Sequence, residues 1–263
     1  MVNKHFIIMK NEEVVPGHRL MGIHAPEIAA QAVPGQFLHV RCRDGQDSML
    51  RRPLSIHFVD KDKGFVYILY RIQGKGTTLL SGMNPGDSLD VIGPLGHGYT
   101  LPEAEERVAV VGGGIGTAPL FFLLEEIRKR TMGELDKVSV YFGVTTLSML
   151  PGIDRVKAMG YPLHIATDDG TGDFKGTVID LLMGSVGVSG VDRIYACGPM
   201  PMIKSLAGAV GPQVNAEVSV EALMGCGVGA CLSCACSVKS GEGTRYAHAC
   251  TDGPVFDLRE LVL

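Results

Sequence analysis

The cysteines near the C-terminus constrain this chain more than any other feature. Cys226, Cys231 and Cys234 follow a C-x4-C-x2-C spacing, and Cys250 comes fifteen residues later. Four thiolates at this spacing form the ligand set of a [2Fe–2S] cluster. Gly225, Gly227 and Gly229 surround Cys226. A loop wrapped around a compact inorganic cluster needs the backbone freedom and close approach that glycine allows. Structural zinc also takes four cysteines, but usually on paired short spacings, so a zinc-stabilised, non-catalytic binding module is the weaker alternative. Disulfides fit less well still. The chain has seven cysteines, an odd number, and no secretory signal is read in Met1–Lys10, where charges stand too close together. Cys236 is read as a bystander thiol.

Length and composition bound the rest. The 263 residues are 46% hydrophobic, ample for one large core or two to three small ones. Net charge is −4 and no basic stripe stands out, so nucleic acid is not an expected partner. The longest uncharged run, Val108 to Leu124, is short for a membrane span and carries four glycines and Pro119. The expectation is a cytoplasmic protein with no membrane span, in a compartment where thiols stay reduced and can bind iron.

From Lys4 to about Gly98, short apolar runs alternate with turn residues. Strands are expected over Phe6–Val15, Arg19–Ala25, 36–43, Pro53–Asp60, Gly64–Arg71 and Ser88–Ile92, with turns at Pro16-Gly17, Pro34-Gly35, Asp44-Gly45 and Pro85-Gly86. This pattern suggests a small antiparallel barrel. Two stretches point to a ligand. Arg51-Arg52-Pro53-Leu54-Ser55 offers a guanidinium for a pyrophosphate oxygen. Leu69-Tyr70-Arg71 leads through Gly74 and Gly76 into a short helix at Thr77–Ser81, whose free N–H groups favour an anion. In order and on a barrel, these motifs resemble the FAD domain of the ferredoxin–NADP reductase superfamily. That resemblance implies FAD contacts at Arg52, Pro53, Leu54, Ser55, Leu69, Tyr70, Arg71, Gly76 and Thr77. His57 shares Ser55's face and is read as a surface or hydrogen-bonded core histidine.

After residue 100 the periodicity changes. Val108–Val111, Val138–Val144, Leu163–Thr167 and Arg193–Cys197 read as strands. Leu120–Arg130, Ile153–Met159, Thr177–Met183 and Met200–Val210 read as helices. The alternation means a doubly wound parallel sheet. The turn at Gly112–Pro119 is Gly-rich and opens a helix, as a dinucleotide pyrophosphate requires. It is not a strict G-x-G-x-x-G, and no acidic residue ends the second strand. Thr145 and Thr146 stand there instead of basic residues, which leans toward NAD over NADP although Arg155 is not far along the chain. Asp168 and Asp169 mark a loop at the sheet's carboxyl edge. In the reductase superfamily a Cys-Gly-Pro turn packs at the nicotinamide. The resemblance therefore implies NAD contacts at Gly113, Gly114, Gly116, Thr117, Cys197, Gly198 and Pro199, with Cys197 beside the hydride-transfer locus as a positioning contact.

The fold expected is multi-domain α+β: an FAD barrel over 1–100, an NAD-binding α/β domain over 101–215 and a small [2Fe–2S] domain over 216–263. In this order, the three modules resemble the electron-transfer subunits of NAD-dependent (class 1B) dihydroorotate dehydrogenases. The resemblance covers the whole chain and assigns the cluster to Cys226, Cys231, Cys234 and Cys250. Cys236 departs from it, standing where an apolar residue is expected. It implies a partner: an FMN-containing subunit that oxidises dihydroorotate in pyrimidine biosynthesis, in a heterotetramer of two plus two. Electrons would run from that subunit through the cluster and FAD to NAD+. A flavin belongs between the other two carriers because it handles both hydrides and single electrons. The alternative keeps the chemistry and changes the partner, to a ferredoxin, sulfide or glutamate synthase-type complex that oxidises NAD(P)H.

Overall fold

Apolar–polar alternation along the first hundred residues closes a barrel. The computed structural model describes residues 1–42, 49–131, 135–185, 190–241 and 243–263. Strands β1 (Val2–Val15), β2 (His18–His24), β3 (Phe37–Arg41), β4 (Arg52–Asp60), β5 (Phe65–Arg71) and β6 (Ser88–Leu95) pair antiparallel in the closed order β1-β2-β5-β4-β3-β6. Every second side chain points inward, so Ile8, Ile23, Leu38, Ile56, Ile68 and Tyr70 share one buried core. Helix α1 (Pro26–Gln31) was not expected. Pro26 stands in its first turn, where proline's fixed φ suits a helix start, and it buries Ile28 and Ala29. Helix α2 (Lys75–Ser81) sends Leu80 into the barrel core, and Asn11 Nδ2 donates to the carbonyls of Leu80 (3.0 Å) and Met83 (2.9 Å). The expected strand end at Arg43 and the Asp44-Gly45 turn lie outside the described residues.

The second half winds β7 (Val108–Gly113), β8 (Val138–Val144), β9 (Leu163–Thr167), β10 (Phe174–Lys175), β11 (Arg193–Cys197) and β12 (Asn215–Ser219) into one parallel sheet. Helices α3 (Leu120–Arg130), α4 (Ile153–Met159), α5 (Val178–Ser185) and α6 (Met200–Ala209) connect them. All six residues of β7 are buried, as expected for a central parallel strand. Strand order reverses beside β7, which lies between β8 and β11. Ligands bind at such switch points, outside the carboxyl ends of the strands.

The cysteine-rich tail is built onto this sheet. Strand β12 leads into the loop that carries Cys226, Cys231 and Cys234. A hairpin of β13 (Ala235–Ser240) and β14 (Gly243–His248) follows, and β15 (Val255–Asp257) returns to pair antiparallel with β12. Strands β10 and β15, of two and three residues, are too short to give a periodic signal. Phe37 and Leu95 of the barrel, Val218 and Phe256 of the sheet edge, and Cys234 and Cys250 lie in one core cluster.

Candidate functional site

The cysteine loop gathers its sulfurs as two pairs. Cys226 N–H donates to Cys231 Sγ and Cys231 N–H donates back to Cys226 Sγ, both at 3.3 Å. Cys234 Sγ and Cys250 Sγ lie 3.3 Å apart. Further N–H groups aim at sulfur: Val228 (3.4 Å) and Ala230 (3.2 Å) at Cys226, and Gly229 (3.2 Å) at Cys250. Leu232 holds φ +59°, a costly conformation for leucine, between the second and third cysteines. Among the described residues no three His, Cys, Asp or Glu side chains close on one ion position. Two thiol pairs in a cradle of N–H donors fit a cluster with two metal atoms better than one tetrahedral ion. Bonds from Ser233 and then Cys226 lower the exposed Cys231 thiol to about 6. Burial and Cys234 push Cys250 up to about 11. Cys236 stays apart: its Sγ is 3.8 Å from the Cys234 carbonyl, and it packs against the core.

The barrel motifs meet at one end of β4. A Cβ on Gly76 would sit 2.7 Å from Arg52 Nε, so the start of α2 and the guanidinium are packed together. Thr77 Oγ1 accepts from the N–H groups of Gln73 (2.9 Å) and Gly74 (3.2 Å). Arg51 has a different task, gripping both carboxylate oxygens of Asp90 (2.8 and 2.7 Å). Pro53 pairs with His39 and Ser55 with Phe37, which puts these four on one outer barrel face, toward the sheet and tail. Leu69 and Arg71 alternate with the core residues of β5. Tyr70 points inward, and its hydroxyl donates to Asn11 Oδ1 (3.0 Å) within the barrel core. His57 is a core histidine: its Nδ1 is 2.7 Å from the Ala118 carbonyl, and burial lowers its pKa to about 4.

The two turns of the nucleotide sheet touch. A Cβ on Gly116 would collide with the Cys197 carbonyl and lie 2.7 Å from Gly198 Cα. Only glycine permits that approach. Thr117 is fully buried and donates from Oγ1 to the Gly114 carbonyl (2.9 Å). A cleft of about 350 Å³ opens at the carboxyl ends of the strands, lined by Gly113, Gly114, Thr145, Asp168, Pro199 and Met202 among others. Asp169 is instead tied to Thr171, whose hydroxyl and N–H hold its carboxyl down to about 2. Arg155 is engaged by Glu125 (3.2 Å) and lies over the Phe58 ring (3.6 Å). Burial pushes the Cys197 thiol up to about 12, which keeps it protonated.

Known families match at the barrel and at the cysteine-rich tail. The family described as the iron–sulfur cluster binding domain of dihydroorotate dehydrogenase B matches residues 221–262, and the oxidoreductase FAD-binding domain matches residues 6–99. The dihydroorotate dehydrogenase B (NAD(+)) electron transfer subunit of Desulforamulus reducens is 43% identical over 250 residues, 95% of this chain and 94% of that one. The same subunit of Shouchella clausii is 39% identical over 258 residues, 97% of this chain and 96% of that one. The chain belongs to this family of electron transfer subunits. Among solved structures, an NADH-dependent reduced ferredoxin–NADP oxidoreductase aligns with TM-score 0.83 and 28% identity, over 98% of this chain and 89% of that one. A ferredoxin NADP+ reductase from Neisseria gonorrhoeae shares the fold at TM-score 0.68 and 19% identity, over 83% of this chain and 99% of that one. As a family member the chain carries an FAD-binding and an iron–sulfur-binding domain on a reductase fold that binds NAD(P). Sequence reasoning for this subunit missed His39, which the fold brings against Gly227. No local signal marks it: Phe37-Leu38-His39 places it on the face opposite the core residue Leu38, and only the fold brings Gly227 there.

Proposed function

We propose that this chain is the electron-transfer subunit of a cytoplasmic, NAD-dependent dihydroorotate dehydrogenase, carrying electrons from an FMN-containing partner to NAD+ in pyrimidine biosynthesis. The functional divisions are 1–100, 101–215 and 216–263, and the assembly is two plus two. When bound, nicotinamide supplies hydride chemistry, the cluster supplies single-electron steps and FAD supplies both. Cys226, Cys231, Cys234 and Cys250 hold a [2Fe–2S] cluster. Arg52, Pro53, Leu54, Ser55, Leu69, Arg71, Gly76 and Thr77, with the Tyr70 backbone, hold FAD. Gly113, Gly114, Gly116, Thr117, Gly198 and Pro199 receive NAD. Cys197, as a protonated thiol, shapes the nicotinamide end of the cleft and takes no covalent role.

The observation that carries this reading is the shared junction. His39, the register partner of Pro53, lies against Gly227 of the cysteine loop, where an added Cβ would sit 2.5 Å from its Nδ1. The barrel face assigned to flavin and the cluster loop are thereby neighbours, as electron carriers must be. The partner is expected at the outer side of that loop, where Leu223, Val228 and Leu232 are 89%, 40% and 58% exposed. Such apolar exposure favours a protein interface. The test is to purify the chain with the FMN subunit and measure NAD+ reduction driven by dihydroorotate, alongside iron, sulfide and flavin content. Coupled turnover with a yellow-brown, iron-containing pair is expected. A colourless zinc protein, or a loaded pair that cannot reduce NAD+, would overturn the reading. NADPH preference without coupling would point to a ferredoxin, sulfide or glutamate synthase-type complex.

A further inference from the structure

His39 is fully buried, and neither ring nitrogen has a hydrogen-bond partner of good geometry. A buried polar group left without a partner costs roughly 1–3 kcal/mol, so such a group calls for a reason. Its surroundings are specific. On the barrel side its register partner is Pro53, beside Ser55. On the tail side a Cβ added to Gly227 would lie 2.5 Å from His39 Nδ1, and Gly227 holds φ +73°. Gly227 directly follows Cys226. The ring thus fills the space between the barrel face assigned to flavin and the turn of the first cluster cysteine, with its Nδ1 edge toward the turn. In either protonation state an imidazole carries an N–H to give.

We propose that His39 is a positioning residue for electron passage between flavin and cluster, wedging the Cys226–Gly227 turn against the flavin side of the barrel and donating its ring N–H to the sulfurs held there. This rests on the cofactor assignment above. Hydrogen bonds to cluster sulfurs are one of the quantities that set reduction potential. A donor stabilises the more negative, reduced cluster, so its loss lowers the potential.

The test uses the loaded protein with its partner. His39→Phe fills the space without a donor, and His39→Gln restores one. With FAD and iron content unchanged, His39→Phe should shift the cluster midpoint potential negative and change the EPR signal of the reduced cluster. It should also slow cluster reduction by NADH about tenfold, the scale of losing an outer-shell partner, while flavin reduction by NADH keeps its rate. His39→Gln should recover much of both shifts. Pulsed EPR of the unaltered protein, grown with isotope-labelled histidine, should show nitrogen coupling to the reduced cluster. Absence of that coupling overturns the proposal even where a variant fails to fold. So do wild-type potential and EPR in a fully loaded His39→Phe. If the unaltered protein itself lacks iron or flavin, the cofactor assignment fails and takes this proposal with it.

Discussion

Cys197 and Cys231 are the same residue in opposite surroundings. Cys197 ends β11 at the junction of the modules, where burial and then Glu221 raise its thiol to about 12. Cys231 lies exposed in the tail loop, where Ser233 and the Cys226 N–H lower it to about 6. His57 shares the junction's character, since burial lowers it to about 4 and it bonds as a neutral ring to the Ala118 carbonyl. Burial at the junction suppresses charge, so groups there act by shape and by single hydrogen bonds. Donors in the loop create charge, which a metal ligand needs because the thiolate is what binds.

The largest effect should come from exchanging the two cysteines' fates. Cys231→Ser should strip the cluster and drop dihydroorotate-driven NAD+ reduction to background, with FAD retained and NADH still oxidised by an artificial acceptor. Cys197→Ala should keep its iron. Iron analysis and paired assays decide, and the contrast collapses if Cys231→Ser still couples or Cys197→Ala loses iron. Next is the junction's pH dependence. His57 titrates at about 4 when folded, whereas an unfolded histidine takes its proton near 6.5. The stability this neutral ring allows is whole above about pH 6.5 and falls as pH drops toward 4, by ~3 kcal/mol in all. Thermal melts over that window should show a shallower pH slope for His57→Phe than for the parent. Equal slopes would place the acid sensitivity elsewhere.

What was legible in the sequence follows from how local each signal is. Helices α3 and α4 were read with their observed bounds, because a Gly-rich turn, Pro119 and a basic run flank α3, and Gly152 and Gly160 stand at the two ends of α4. The cysteine spacing is equally local. Strand β15 was not legible: its three residues exist as a strand only because β12 lies beside them. The same holds for His39. Nothing in Phe37-Leu38-His39 says that Gly227 will arrive on that face, nearly two hundred residues later. Tyr70 shows the reverse case. It was expected at the flavin with no part of the residue specified, and strand alternation turns its ring into the barrel, where its hydroxyl donates to Asn11 Oδ1. Arg51 and Arg52 are adjacent and chemically alike, yet Asp90 takes the first and leaves the second beside Gly76.

A smaller effect probes how tightly the buried turns meet. Gly116→Ala must push its new Cβ against the Cys197 carbonyl. Overpacking of this kind costs about 1–3 kcal/mol, and the displaced turn should raise KM for NADH while leaving FAD and iron in place. Chemical denaturation and NADH kinetics read the two consequences, and an unchanged KM would remove these glycines from the nucleotide site.

The smallest effect is a matter of reagent kinetics, yet it bears directly on the opening contrast. In cluster-free protein the exposed Cys231 should be the first of these two thiols to react with iodoacetamide, and mass spectrometry of digested peptides can follow both. The rate should climb from pH 5 to 7 with a midpoint near the value of about 6 that Ser233 and Cys226 impose. Cys197 should stay unmodified across that range, since burial holds it up to about 12 and blocks the reagent as well. Ser233→Ala removes the hydroxyl that lies 3.2 Å from Cys231 Sγ. The midpoint should then move toward the ordinary thiol value of about 8.5. If it stays near 6, the backbone N–H groups of Ser233 and Cys226 are enough to make the thiolate, and the backbone of the loop rather than its serine hydroxyl prepares the ligand.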